Sequence, residues 1–171
     1  MEISNIKLGK GVNIDNTSSI NNVSLGQNVK IAKFCSVFGS KDYVLEIGDE
    51  SYVGMFSILN GFAGKLIIGR NVSIAQNVNI MCDSGPNASP FMQKVYPIAK
   101  GNITIHDHVW IGAGVIIMPN VTIGKCSIIA ANSFVDKNVD AYCLFGGNPA
   151  KKIKSLTQLD QNDDKEVRKR N

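Results

Sequence analysis

The chain has 171 residues, 44% hydrophobic but only 7% aromatic, with 16 glycines and a net charge of +4. That suits a single domain, and the modest, scattered positive charge, with no aromatics interleaved on a basic face, argues against a nucleic-acid partner. No apolar run reaches the ~18 residues of a membrane span, and Met1-Glu2-Ile3-Ser4 lacks the basic-then-apolar order of a secretion signal, so no membrane span is expected and the cytoplasm is the default location.

Taken in chain order, large aliphatic residues return every sixth position. The first set is Leu8, Ile14 and Ile20; after a five-residue step come Leu25, Ile31 and Val37, then Ile47, Val53 and Leu59, then Ile68, Ile74 and Ile80. The clearest run follows a long break: Ile105, Ile111, Ile117, Ile123, Ile129 and Val135. The fifth place of each six is small or β-branched, as in Val12, Ser18, Val29, Cys35, Ser51, Val72, Val109 and Ser127. A helix needs spacings of three and four and an ordinary strand needs unbroken alternation, so neither period fits.

Side chains two apart on an extended chain share a face, so the fifth residue of one six and the first of the next both point inward. Each six is then a short strand and a turn. Three of them close a triangular coil, and coils stack at roughly the 4.8 Å spacing of paired strands, each covering its neighbour's apolar face. Phase breaks at 21–24, 41–46, 60–67 and 82–104 mark turns lengthened outward. The last is the longest, and a short tail, 156–171, follows a single domain over 1–155.

With the set Val109-Trp110-Ile111-Gly112-Ala113-Gly114 and the closing Gly146-Gly147-Asn148-Pro149-Ala150-Lys151, residues 5–155 resemble the hexapeptide-repeat acyltransferases, in the branch of maltose, galactoside, antibiotic and surface-polysaccharide acetyltransferases. The resemblance implies an all-β, left-handed parallel β-helix, a homotrimer with intersubunit active sites, acetyl-CoA as donor and no metal. Handedness comes from the resemblance alone, because the usual crossover rule favours the right hand. The implied reaction is acetyl transfer to a sugar or nucleotide-linked aminosugar for surface polysaccharide, such as O-antigen or capsule. A non-catalytic trimeric binding module and O-acetylation of another small hydroxylated acceptor are the alternatives.

Relatives of this kind hold the CoA arm along an intersubunit groove, on turn backbone and basic side chains. The matching positions are Ala113, Ala131, Lys137, Lys151 and Lys154. Small residues let pantetheine approach the backbone, and ammonium groups pair with phosphates. As plain turn and solvated residues they need no function at all.

The better-known members carry a histidine near the start of the long loop as general base, and Met81-Cys82-Asp83-Ser84-Gly85-Pro86-Asn87 has none. Three groups are left to accept a proton: His106, His108 and Asp83. His106 takes a place usually filled by glycine or an acidic residue and is aimed outward on the side of Trp110. His108 lies at a turn, where a histidine is unremarkable. The expected catalytic candidates are therefore His106 and Asp83, with Ser84, Asn87, Trp110 and His108 as acceptor contacts. An amine needs a weaker base than a hydroxyl, which tilts the acceptor toward an aminosugar. Two histidines in all cannot supply a three-imidazole zinc site. Thr104 and Thr122 alone make no threonine ladder, and the four cysteines, without a CxxC pair, read as free thiols.

Overall fold

The structure is a computed structural model that describes residues 4–157; from residue 158 on, the expected tail lies outside the described residues. The chain winds as a triangular prism of three parallel sheets, which we call A, B and C in the order each coil visits them. Coil 1 contributes Ile6–Leu8, Asn13–Ile14 and Ser19–Asn21, and coil 2 Val23–Leu25, Lys30–Ile31 and Ser36–Phe38. Coil 3 is Leu45–Ile47, Tyr52–Val53 and Ile58–Asn60, and coil 4 is Leu66–Ile68, Ser73–Ile74 and Asn79–Met81. After the long excursion, coil 5 is Ile103–Ile105, Trp110–Ile111 and Ile116–Ile117, and coil 6 is Thr122–Ile123, Ile128–Ile129 and Phe134–Val135. A partial seventh coil adds Cys143–Gly146 to sheet B, and Lys151–Ser155 turns back antiparallel along it.

The residues leading each six stack in three ladders. On sheet B, Ile14, Ile31, Val53, Ile74, Ile111 and Ile129 lie in register from coil to coil. Sheet A stacks Leu25, Ile47, Ile68, Ile105 and Ile123 in the same way. From coil 2 to coil 6 these residues are buried, whereas Leu8 in coil 1 is 52% exposed because no earlier coil covers it. Burial here depends on neighbours above and below, as in any stacked repeat.

Serine fits the fifth place for a separate reason. Ser51 Oγ donates to the Gly69 carbonyl at 2.9 Å and accepts the Val72 N–H at 3.0 Å, and Ser57 makes the same pair with Ala75 and Val78 at 3.2 Å each. A buried hydroxyl is thereby satisfied by the next coil's turn, which avoids the penalty of an unpaired polar group.

Length variation is confined to one corner, between sheets C and A. The chain bulges there at 39–44 and 61–65, and departs entirely at 82–102. In that excursion Asp83–Ser84 pairs antiparallel with Ala99–Lys100, and a helix, Pro90–Val95, fills the tip, with Ser89 Oγ accepting the Met92 N–H at 3.2 Å. The prism resumes at Ile103, in register with Leu66, two residues before the lead residue Ile105.

Cys82 is fully buried where the excursion begins. Burial pushes its thiol up to about 11, the Asp83 carboxylate adding to the effect and a hydrogen bond to Ile103 opposing it, so it is a packing residue and not a nucleophile at neutral pH. In the folded protein at pH 8, iodoacetamide should label half-buried Cys126 well before Cys82; early Cys82 labelling by mass spectrometry would contradict this packing. Ile111→Ala, at a fully buried ladder position, should cost about 2–5 kcal/mol. Urea unfolding tests that, and a loss under about 1 kcal/mol would mean the ladder is not close-packed.

Candidate functional site

The A–B and B–C corners carry the same left-handed backbone turn with different side chains, whereas the C–A corner varies in length. At the A–B corner the residue after each sheet A lead is Gly9, Gly26, Gly48, Gly69 and Gly124, with His106 in coil 5 as the exception. A Cβ on Gly69 would lie 2.8 Å from the Asp107 nitrogen, which shows how closely coils approach there. The next turn N–H groups are in part answered from within: Asp49 Oδ1 accepts from Gln27 N at 2.7 Å, and Asp107 Oδ1 from Arg70 N at 3.0 Å. His106 is exposed and its ring has no hydrogen-bond partner among the described residues; His108 is half-buried at φ +60°, in the left-handed turn position filled by Asn28 and Asn71 in other coils.

At the B–C corner the equivalent residues are Lys33, Met55, Gln76, Ala113 and Ala131. None brings a carboxylate. Among the described residues, no acceptor takes the N–H groups of these five, although the carbonyls of Lys33, Met55, Gln76 and Ala113 each receive the N–H of the following coil at 2.8–3.0 Å. A row of backbone donors without a protein acceptor therefore runs along this corner, suited to carbonyl or phosphate oxygens.

Beside that row lies a hollow of about 400 Å³ lined by Ala75, Trp110, Gly112, Ala113, Ile128, Ala131 and Leu144. Gly112 allows the close approach of coils beneath the hollow: a Cβ there would sit 2.6 Å from the Ala131 nitrogen. Trp110, 54% exposed on the outer face of sheet B, walls it. Ala113 and Ala131 are thus together. Lys154 pairs with Leu144 and Lys151 with Gly146 at the C-terminal end of the same face. Lys137, by contrast, follows the sheet C strand Phe134–Val135 and sits at the C–A corner.

The long excursion places Asp83 at the C–A corner, where its Oδ1 accepts from Asn60 Nδ2 at 2.9 Å. Ser84 is half-buried in the antiparallel pair and Asn87 is exposed in the loop beyond it. The chain therefore spreads the expected residues over three corners: Asp83, Ser84, Asn87 and Lys137 at C–A, the histidines at A–B, and the alanines at B–C. It unites Trp110 with Ala113 and Ala131. It does not unite Asp83 with His106. Turn backbone at Ala113 and Ala131 was expected from the resemblance; that the bare donors continue through Lys33, Met55 and Gln76 was not, although the lack of any acidic residue at these places was a readable sign. Among the described residues no three metal-ligating side chains cluster, and no helix is long and apolar enough to cross a membrane.

A family model described as bacterial transferase hexapeptide (six repeats) matches residues 102–137. The chain is 31% identical to the dTDP-4-amino-4,6-dideoxy-D-glucose acyltransferase of Escherichia coli, over 90% of this chain and 85% of that one. It is 40% identical to a Saccharomyces cerevisiae protein named as an acetyltransferase over 72% of its own length, but spans only 60% of that relative. Among solved structures, the N-acyltransferase AntD from Bacillus cereus, in complex with dTDP and 3-hydroxybutyryl-CoA, superposes with a TM-score of 0.83 at 27% identity, covering 96% of this chain and 90% of that chain. A serine variant of AntD has been solved with dTDP-4-amino-4,6-dideoxyglucose and coenzyme A, and an aspartate variant with dTDP and coenzyme A. With its six-residue ladders, its glycine and alanine corners and this likeness along nearly its whole length, the chain belongs to the hexapeptide-repeat acyltransferase family and has that family's left-handed parallel β-helix.

Proposed function

We propose that the protein transfers an acyl group, acetyl in the simplest case, from coenzyme A to the amine of a nucleotide-linked aminosugar destined for surface polysaccharide, and that it works as a homotrimer in the cytoplasm. The likeness to AntD over 96% of the chain carries this reading, and the hollow with its bare donors at the B–C corner supports it. Ala113 and Ala131 leave room for pantetheine against those N–H groups, and Lys151 and Lys154 stand at the end where the phosphates would emerge.

In the reaction the acceptor nitrogen bonds to the thioester carbonyl carbon, the carbon–sulfur bond breaks, and one amine proton leaves. Negative charge growing on the carbonyl oxygen is met by a turn N–H such as that of Ala113, held in place by the coils on either side. The proton goes to a base or to the departing thiolate. Asp83, oriented by Asn60, and His106, without a partner of its own, are the two candidates. A further residue enters here. The serine and the aspartate varied in AntD lie ten positions apart, and in this chain the one serine followed ten residues later by an aspartate is Ser73, with Asp83. Ser73 is exposed on sheet B between Tyr52 and Trp110.

Within one chain Ser73 and Asp83 belong to different faces, so they share a site only across a subunit boundary. The exposed apolar side chains of the loop helix, Phe91 at 75% and Val95 at 66%, support a loop that reaches a neighbour.

Sedimentation equilibrium should give three times the chain mass, and a monomer would end the shared-site reading. Thiol release from acetyl-CoA should require an amine-bearing nucleotide sugar. Calorimetry showing no CoA binding would instead favour a binding module. Asp83→Asn and His106→Asn should differ: the true base loses about a hundredfold to ten-thousandfold in kcat, and the other variant changes mainly acceptor KM. If both keep more than about a tenth of wild-type kcat, neither is the base and the thiolate takes the proton. Ala131→Trp should fill the hollow and raise the acyl-CoA KM at least tenfold with an unchanged melting temperature; unaltered donor saturation would place the groove elsewhere.

A further inference from the structure

The hollow beside Trp110 ends at coil 4, where Ala75 is its last lining residue. A second hollow of about 300 Å³ lies in line with it over coils 1 to 3, on the same side of sheet B. Ile31, Ala32, Tyr52 and Met55 give this second hollow an apolar surface, and the Asp15 carboxylate in its lining interacts with Lys33. The floor does not change from one hollow to the other, because the residue after each sheet B lead is small in coils 2 to 7: Ala32, Gly54, Ala75, Gly112, Ala130 and Gly146. What changes is the residue after that. It is Gly147, Ala131 and Ala113 in coils 7, 6 and 5, then Gln76 in coil 4 and Met55 in coil 3. On the sheet B side the outward residue of coil 4 is Ser73, too short to close the gap between Tyr52 and Trp110. Gln76 is therefore the one long side chain of coil 4 that stands between the two hollows. It is exposed and its amide has no partner among the described residues, so the fold does not need its length.

With coenzyme A phosphates toward Lys151 and Lys154 and the thioester at Ala113, the sulfur reaches the carbonyl carbon from the Ala131 side and the oxygen takes the Ala113 N–H. The third substituent of that trigonal carbon, the acyl tail, then runs on toward coil 4. Coils are spaced by roughly 4.8 Å, the length of roughly four carbon–carbon bonds in an extended chain. An acetyl group ends short of Gln76, whereas an octanoyl chain has to pass it. We propose that Gln76 sets the upper limit on acyl length, by closing the donor hollow at coil 4 against the apolar hollow beyond. The inference rests on the coenzyme A donor proposed above, and it adds which acyl groups that donor carries: short ones, with chains much beyond about four carbons excluded.

Calorimetric titration of the intact protein with acetyl-CoA and with octanoyl-CoA needs no acceptor. Wild type should bind octanoyl-CoA no more tightly than acetyl-CoA, since the extra methylenes stay in water. In Gln76→Ala the two hollows join and the tail is buried, so the affinity ratio should shift at least about tenfold toward octanoyl-CoA, with sedimentation mass unchanged. Met55→Trp, which fills the far hollow, should cancel that gain in the Gln76→Ala background and leave the wild-type ratio as it is when made alone. With an amine-bearing nucleotide sugar present, the kcat/KM ratio of the two donors should move in the same direction. A ratio unmoved by Gln76→Ala overturns the proposal, as does a wild type that already favours octanoyl-CoA tenfold. In both of those cases acetyl-CoA binding by wild type keeps the donor reading intact; a wild type that binds neither thioester ends the donor reading itself, and the length limit with it.

Discussion

The inward aliphatic residues of any one coil are useful only when the same residues of the next coil lie directly on them. A six-residue strand and turn buries nothing by itself. Stacked in register, Ile74 on Ile111 on Ile129, the coils close a buried core, and strand N–H groups of one coil reach the carbonyls of the next. This mutual covering explains the strict period, the buried serines that bond to the following turn, and the partial exposure of coil 1. It also explains why the chain tolerates insertions at one corner: a segment that leaves after Met81 and returns at Ile103 costs the core nothing provided that it re-enters in register.

Because the sheets are committed to stacking, the chemistry is left to the corners and outer faces. Backbone geometry repeats at the A–B and B–C turns, so differences between those two corners come from side chains alone. The A–B corner answers part of its own N–H groups with Asp49 and Asp107, whereas at the B–C corner no side chain of Lys33, Met55, Gln76, Ala113 or Ala131 accepts one among the described residues. A rigid rod thereby offers a fixed line of donors, which needs no reorganisation when a carbonyl or phosphate arrives. His106 stands out against this background as the one side chain in a column of glycines that runs from coil 1 to coil 6.

Dividing the candidate residues among three corners has a consequence for assembly. A prism cannot bring its own corners together, so any site that needs the Asp83 loop and the sheet B face must take them from different subunits. Electrostatics follow the same axis, with Lys30 and Lys33 near one end of sheet B and Lys151 and Lys154 at the other. The apolar wall of Trp110 lies between.

Much of the fold was legible in the sequence, since a period of six in Leu8 to Val135 has few physical solutions. The lead residues and the small fifth places were read correctly down to individual positions, because inward side chains are constrained by volume and leave a trace in residue type. The antiparallel hairpin and helix within 83–100 were not legible: that segment packs on no ladder and follows no period. Nor did the sequence place Lys137 apart from Ala113 and Ala131, or show that N–H groups stand bare along one corner and are partly answered by carboxylates at another. Sequence spacing says that these residues share a period, but which corner a residue occupies, and what its turn faces in the next coil, depends on the winding of the whole chain. Local residue types determined the ladders here, and the tertiary structure alone decided which of the outward side chains are neighbours.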